Sequence, residues 1–450
     1  MSASPSQAEC QSFQSGQLRR TLGYRDLMAY GLAYIAPVAP LSTFGFVWEA
    51  SGGLIALAYL LGAICMYFTA KSYAVMTEVI PTAGSVYGFA RISLGTLPGF
   101  VAGWLILLDY LLIPALIFLL MSVGMQQLVP GVDRATWLVI LVAVSLGINW
   151  FGVMVTSRVS QIAVVVQFLM IFALLGLALF AIAKGKGAGT LTLAPFYASA
   201  SFDPGKIFTA TSICVLSFLG FDAISTLSEE VKDNDRKVVG RAIIGVLVVC
   251  GALFVLTTWV LGNLMPGMTI KDPAAAIFEL LAAQIGPWSA VALAWLMAIV
   301  VGFSNALPMQ VGVARVLFAM GRDRQLPRPL ARLHPRHGTP YVAMLLSTLF
   351  SLVVALFMRD QIDTLASFVN FGALTAFLLL HVSVLVHLGI RGRSKQYFVH
   401  WCVPILGIAT VLAVLSGMSH AALEVGLGWL AIGLVYGAFL RSKQRAELTV

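Results

Sequence analysis

Charge is scarce in this chain. Only 10% of its 450 residues are Asp, Glu, Lys or Arg, against roughly 25% in soluble domains. That scarcity excludes a soluble enzyme. Cysteine is sparse too: Cys10, Cys65, Cys214, Cys250 and Cys402 are scattered, without pairing pattern or metal spacing, so small buried apolar roles are expected. No Walker loop, zinc-ligand pattern or nucleophile-plus-base signature occurs. A primary pump and a membrane enzyme therefore lack their usual marks, and neither cofactor nor metal is expected. The N-terminal segment is polar, rich in Ser and Gln, and has no signal-peptide apolar region.

Apolar residues are abundant. They make up 59% of the chain, and the mean hydropathy is +0.92. A membrane crossing needs about 20 apolar residues. The sequence predicts twelve, near 27–48, 54–76, 86–123, 137–153, 159–183, 207–227, 242–264, 288–320, 341–358, 365–390, 398–418 and 425–440. No soluble segment interrupts them. The expected organisation is a cytoplasmic tail over 1–24, a single transmembrane domain over 25–441, and a second cytoplasmic tail over 442–450.

The net charge of +9 could point to nucleic acid, but its placement points to topology. With the N-terminus in the cytoplasm, every Lys and Arg except Arg134, Lys184, Lys186, Lys206, Lys271 and Arg359 falls on a cytoplasmic segment. Both termini are then inside, which requires an even number of crossings. No nucleic-acid partner is expected.

Two apolar runs are punctuated. The first holds Gly31-Leu32-Ala33-Tyr34-Ile35-Ala36-Pro37, and the sixth holds Ser217-Phe218-Leu219-Gly220-Phe221-Asp222. Gly31 and Gly220 free φ, and Pro37 and Pro40 lack an N–H. Unwinding between Gly31 and Pro37, and again at Gly220, is expected. Broken helices survive in a bilayer only where freed backbone groups face protein or a water-filled cavity, and paired breaks mark transporter binding sites. A plain proline kink and packing phenylalanines are the competing readings.

Intramembrane acids sharpen the expectation. Asp109 lies deep in the third run and Asp222 follows Phe221. Each costs about 3 kcal/mol at a helix centre. Each can pair with an ammonium, carry a coupling proton, or make a structural hydrogen bond. Gln167, Ser304, Asn305, Asn370 and His381 read as interhelical hydrogen-bonding residues. Glu229 and Glu230 lead into a mixed-charge loop that reads as solvated, with a latch as the rival.

These segments, with Pro81-Thr82-Ala83-Gly84-Ser85-Val86-Tyr87, Gly103-Trp104, Leu108-Asp109-Tyr110-Leu111 and Met320-Gly321-Arg322-Asp323, resemble the amino acid–polyamine–organocation superfamily of secondary transporters, nearest to bacterial putrescine importers. The resemblance implies an all-α fold of the leucine-transporter type. It has a five-plus-five inverted repeat, helices 1 and 6 broken, and two extra C-terminal helices. It implies proton-coupled import of a small polyamine across the inner membrane, or an amino acid permease or exchanger on the same fold. Substrate would bind at Gly31, Ala33, Tyr34, Asp109, Tyr110, Ser217, Phe218, Gly220, Phe221, Asp222 and Phe303, with Asp109 and Asp222 as proton carriers. Gln167 stands near where amino acid relatives often carry a Lys. Ala33-Tyr34-Ile35-Ala36 is bulkier than the Gly/Ser-rich turn that grips a carboxylate, which favours an amine lacking one. Expected partners are the small-molecule substrate, protons and lipid.

Overall fold

In a bilayer every backbone N–H and C=O must be satisfied within the protein, so long apolar runs fold as helices. The computed structural model describes residues 22–82, 84–150, 153–197, 202–232, 235–323, 326–334 and 339–448. The expected tails at 1–24 and 442–450 thus lie partly outside the described residues, as does Ala83. Among the described residues the chain is helical, with one isolated parallel bridge between Leu22 and Val231.

In chain order the helices are α1 (Tyr24–Ile35), α2 (Ala39–Ser51), α3 (Ile55–Val79), α4 (Ser85–Leu94), α5 (Thr96–Leu128), α6 (Arg134–Trp150), α7 (Val153–Ala183), α8 (Pro204–Cys214), α9 (Arg236–Gly262), α10 (Ala276–Gln284), α11 (Pro287–Trp295), α12 (Gly302–Arg322), α13 (Tyr341–Phe357), α14 (Ile362–Val384), α15 (Val403–Ser416) and α16 (His420–Leu448). Among the described residues, ten helical stretches are long and apolar enough to cross a membrane. The fourth and ninth expected crossings form shorter apolar helices, Arg134–Asn149 and Tyr341–Phe357. At 1.5 Å per residue, 17 residues rise about 25 Å, short of a hydrocarbon core of about 30 Å.

The first run is broken within the expected interval from Gly31 to Pro37, at its far end. Gly31 lies inside α1, because a glycine alone does not stop a helix. A Cβ there would fall 2.4 Å from Ile224 Cδ1 and 2.7 Å from Val246 Cγ2, so its bare Cα permits close packing. The break comes at Ala36, with φ 58° and ψ 110°. Pro37, which cannot donate to a preceding turn, follows it.

The third run is two helices, not one. Gly95 at φ 113° separates α4 from α5. Polar and turn-forming residues stand at this corner: Arg91, Ser93, Gly95, Thr96 and Pro98.

The sixth run breaks where the sequence places it. Asp203 caps α8, accepting from the Gly205 N–H at 2.8 Å. A 3-10 turn over Val215–Phe218 follows, then Gly220 at φ 111°, then a second 3-10 stretch over Asp222–Glu230. A Cβ on Gly220 would stand 2.9 Å from the Tyr34 carbonyl oxygen and 2.8 Å from Met309 Cε. The two breaks therefore touch.

Helix α5 runs through the middle of the packing. Gly372 of α14 presses on the turn that carries Asp109: a Cβ there would lie 2.8 Å from the Asp109 N and 2.9 Å from the Leu105 O. Trp104 and Trp429 fasten α16 to α5. Their rings stack at 4.5 Å, and each indole N–H donates to the other's carbonyl at 2.9 Å.

Candidate functional site

The break after Leu219 leaves the Gly220 amide without a helical partner, and Asp222 takes it. Its carboxylate accepts from the Gly220 N–H at 3.2 Å, while the Ala223 N–H bonds the Gly220 carbonyl at 3.2 Å. This caps the second 3-10 stretch with a negative group at its positive end. Tyr110 Oη donates to the same carboxylate at 2.6 Å. Pro114, four residues beyond Tyr110, cannot donate to the Tyr110 carbonyl, which loosens α5 at this level.

Asp109 lies fully buried beside this arrangement, within electrostatic reach of Asp222. Among the described residues neither of its carboxylate oxygens has a hydrogen-bond partner. Tyr73 reaches both acids electrostatically. The Tyr34 hydroxyl is buried and also without a partner.

A cavity of about 700 Å³, counted with its open mouth, lies against the two breaks. Its walls come from α1, α2, α5, the sixth run and α12, and no lining residue is charged. Of the predicted site residues, Tyr34 and Ser217 line it. Ile113, one helical turn past Asp109, lines it as well, so the acid sits about 6 Å along the helix from the wall. Asp109, Tyr110 and Asp222 form one cluster next to the cavity, outside its surface. Gly31 and Ala33 lie within α1, and Gly220 joins the breaks.

The aromatic residues are placed otherwise. Phe218 packs against Phe254 at 5.1 Å and Tyr59 at 6.1 Å. Phe221 packs against Tyr73 and Phe377, each at 5.8 Å. Phe303 turns aside while Gly302 and Asn305 face the cavity. Sequence reasoning passed over Thr43 and Tyr59, which bond Ser217 Oγ at 3.1 and 3.0 Å. The signal was there: two more hydroxyls inside apolar runs. Gln167, Asn370 and His381 make interhelical bonds, to Ser304, to the Ser212 carbonyl, and to Thr69 and Ser72.

The opposite side of the breaks is tied shut. Arg315 pairs with Glu230 at 3.0 Å, both side chains nearly buried, and Arg322 with Glu229 at 3.8 Å. Leu22 bonds the Glu230 carbonyl and the Lys232 amide through its backbone, each at 3.0 Å. Arg91 pairs with Asp323, which also accepts from Tyr87 Oη at 2.8 Å. Burial and then this carboxylate push the Tyr87 phenol above its usual range, so it stays protonated as a donor. The latch reading of Glu229 and Glu230 thus has its partners.

Comparison with known proteins agrees with this architecture. The model of a family described as amino acid permease matches residues 27–431. The low-affinity putrescine importer PlaP of Escherichia coli (strain K12) is 33% identical over 427 residues, covering 93% of each chain. The branched-chain amino acid permease BcaP of Bacillus subtilis is 28% identical, covering 96% of this chain and 95% of its own. The methylthioribose transporter of the same organism is 27% identical, covering 97% and 96%. The chain belongs to the amino acid permease family, within the amino acid–polyamine–organocation superfamily, and is a transporter, not an enzyme.

Proposed function

We propose that this chain imports a small polyamine of the putrescine type, coupled to protons, across the cytoplasmic membrane. In this reading the chain crosses twelve times with both termini inside. Crossings one to five and six to ten form inverted repeats, and the last two are appended. Residues 25–441 act as one transporter domain. The cavity beside the breaks opens outward, and the ion pairs around Glu230 close the inner side.

The observation that carries the reading is Asp109: a fully buried carboxylate with both oxygens free of hydrogen bonds among the described residues, beside a second acid and an uncharged cavity. An ammonium supplies what that group lacks, since pairing offsets the cost of a buried charge. Asp109 and Asp222 bind it together and carry the proton when it is absent. The similarity to a putrescine importer supports the substrate class.

The similarity to a branched-chain amino acid permease supports a second reading, an amino acid permease. Its substrate carboxylate needs free amides at a break. Here the Asp222 side chain already takes the Gly220 amide, and the Ala223 amide bonds a carbonyl, which favours the amine. The test is uptake into liposomes of labelled putrescine against labelled amino acids, with and without a proton gradient and sodium. The expected result is putrescine uptake driven by the proton gradient and indifferent to sodium. Uptake of neutral amino acids without competition by diamines would overturn the reading.

A further inference from the structure

The cavity wall holds polar groups that the acid cluster does not use. Thr43 on α2, Tyr59 on α3 and Ser217 in the sixth run place three hydroxyls in a closed triangle. Its edges are 2.6 Å from Thr43 Oγ1 to Tyr59 Oη, 3.0 Å from Tyr59 Oη to Ser217 Oγ, and 3.1 Å from Ser217 Oγ to Thr43 Oγ1. Three hydroxyls own three protons. Arranged head to tail, all three are spent inside the triangle, and each oxygen keeps a lone pair. Thr43 and Ser217 are in the cavity wall. Tyr59 is held behind them by the rings of Phe218 and Phe254.

Asn305 adds to this wall from α12. It lines the same cavity, and its Oδ1 is buried with no partner among the described residues. The wall carries no charge, and the buried guanidinium of Arg315, outside this wall, pairs with Glu230 through Nη2. A triangle with its donors spent, beside an unpartnered carbonyl oxygen and with no cation, suits a ligand that donates. It suits a carboxylate poorly. An ammonium has three N–H donors, and Thr43, Ser217 and Asn305 offer it three acceptors.

We infer that Thr43, Ser217 and Asn305 form a distal subsite for the second ammonium of a short-chain α,ω-diamine, whose first ammonium is held at Asp109 and Asp222. This rests on the amine reading above and makes it more specific. A monoamine of equal length fills only the acidic end and leaves the wall's acceptors unpaired. An α-amino acid brings its carboxylate to a wall without charge, where the triangle's donors are spent and only neutral donors remain, among them Tyr34 Oη and Asn305 Nδ2.

The experiment is a competition assay on the full chain in liposomes, with labelled putrescine displaced by unlabelled putrescine or 1-aminobutane. It is run for wild type, Thr43→Val and Asn305→Leu. Wild type should prefer the diamine by about tenfold or more, the effect of hydrogen bonds to a charged group. Each variant should lose about tenfold more affinity for putrescine than for 1-aminobutane, bringing the two ligands close together. Thr43→Val keeps shape and leaves the Tyr59–Ser217 bond, so its fold is conserved. Asn305→Leu tests the wall without touching the triangle. A wild-type preference that persists undiminished in both variants overturns the subsite and leaves the amine reading standing. Equal losses for both ligands also overturn it, by showing a structural role. A wild type that binds neither amine removes the amine reading and the subsite together.

Discussion

Among single residues, the proposed reading turns on Asp109. A charge at the centre of a crossing costs about 3 kcal/mol on insertion scales, and no protein hydrogen bond among the described residues offsets it here. Asp222, by contrast, accepts from Tyr110 and from the Gly220 amide. In the proposed reading both acids meet the ammonium, Asp222 while also bracing the break and Asp109 with both oxygens free for it. Asp109→Asn keeps the shape and removes the charge. It should weaken diamine binding about 100-fold, the size expected when one partner of a buried charge pair is lost, while the protein still folds. Ligand titration of the purified variant checks this, and unchanged affinity would return Asp109 to a structural part. The sequence showed both acids and Tyr110, but not which acid the phenol would meet, since neighbours on a helix point about 100° apart. Tyr110 meets an acid 112 positions away, a contact that no local pattern contains.

At the scale of elements, the sixth run was legible and the first only partly. Gly220 in a polar-edged apolar stretch marked its break, and the structure puts that residue at φ 111°. In the first run Gly31 and Pro37 both looked like breakers, but Gly31 serves close packing and the helix ends at Ile35. The corner at Gly95 had its signals in Arg91, Ser93, Gly95, Thr96 and Pro98, which were passed over when 86–123 was read as one run. At Gly31 what escaped the sequence was a contact between distant segments, with Ile224 and Val246. Gly220→Ala tests the joined breaks. Its φ is one that side chains rarely adopt, and the new methyl would meet the Tyr34 carbonyl at 2.9 Å. A loss of about 1–3 kcal/mol is expected, read as a lower unfolding temperature in detergent together with weaker diamine binding. Wild-type behaviour in both would show that the two breaks have room to part.

The whole molecule is asymmetric across the plane of its breaks. On one side lies a cavity with an uncharged wall. On the other, Arg315–Glu230, Arg322–Glu229 and Arg91–Asp323 close the packing, with the Leu22–Val231 bridge alongside. Alternating access requires the charged side to open when the cavity closes, and water can then solvate ions that apolar contacts would leave stranded. Of the three pairs, Arg315–Glu230 is the most deeply buried, with side chains only 8% and 13% exposed. Removing one partner of such a pair costs about 3–5 kcal/mol, and that cost falls only on the state in which the pair is formed. Arg315→Gln should therefore shift the population toward the conformer open on the Glu230 side, by up to about 100-fold or more. A cysteine placed at Ser225, buried behind the pair, in a background lacking the native cysteines, reports the change. It should react with a thiol reagent at least about tenfold faster in the Arg315→Gln protein, a conservative fraction of that shift. Adding putrescine should alter the rate through its preference for one conformer. An equal rate with and without the substitution would mean that the remaining ties hold this side closed by themselves, and that Arg315–Glu230 does not set the balance between the two states.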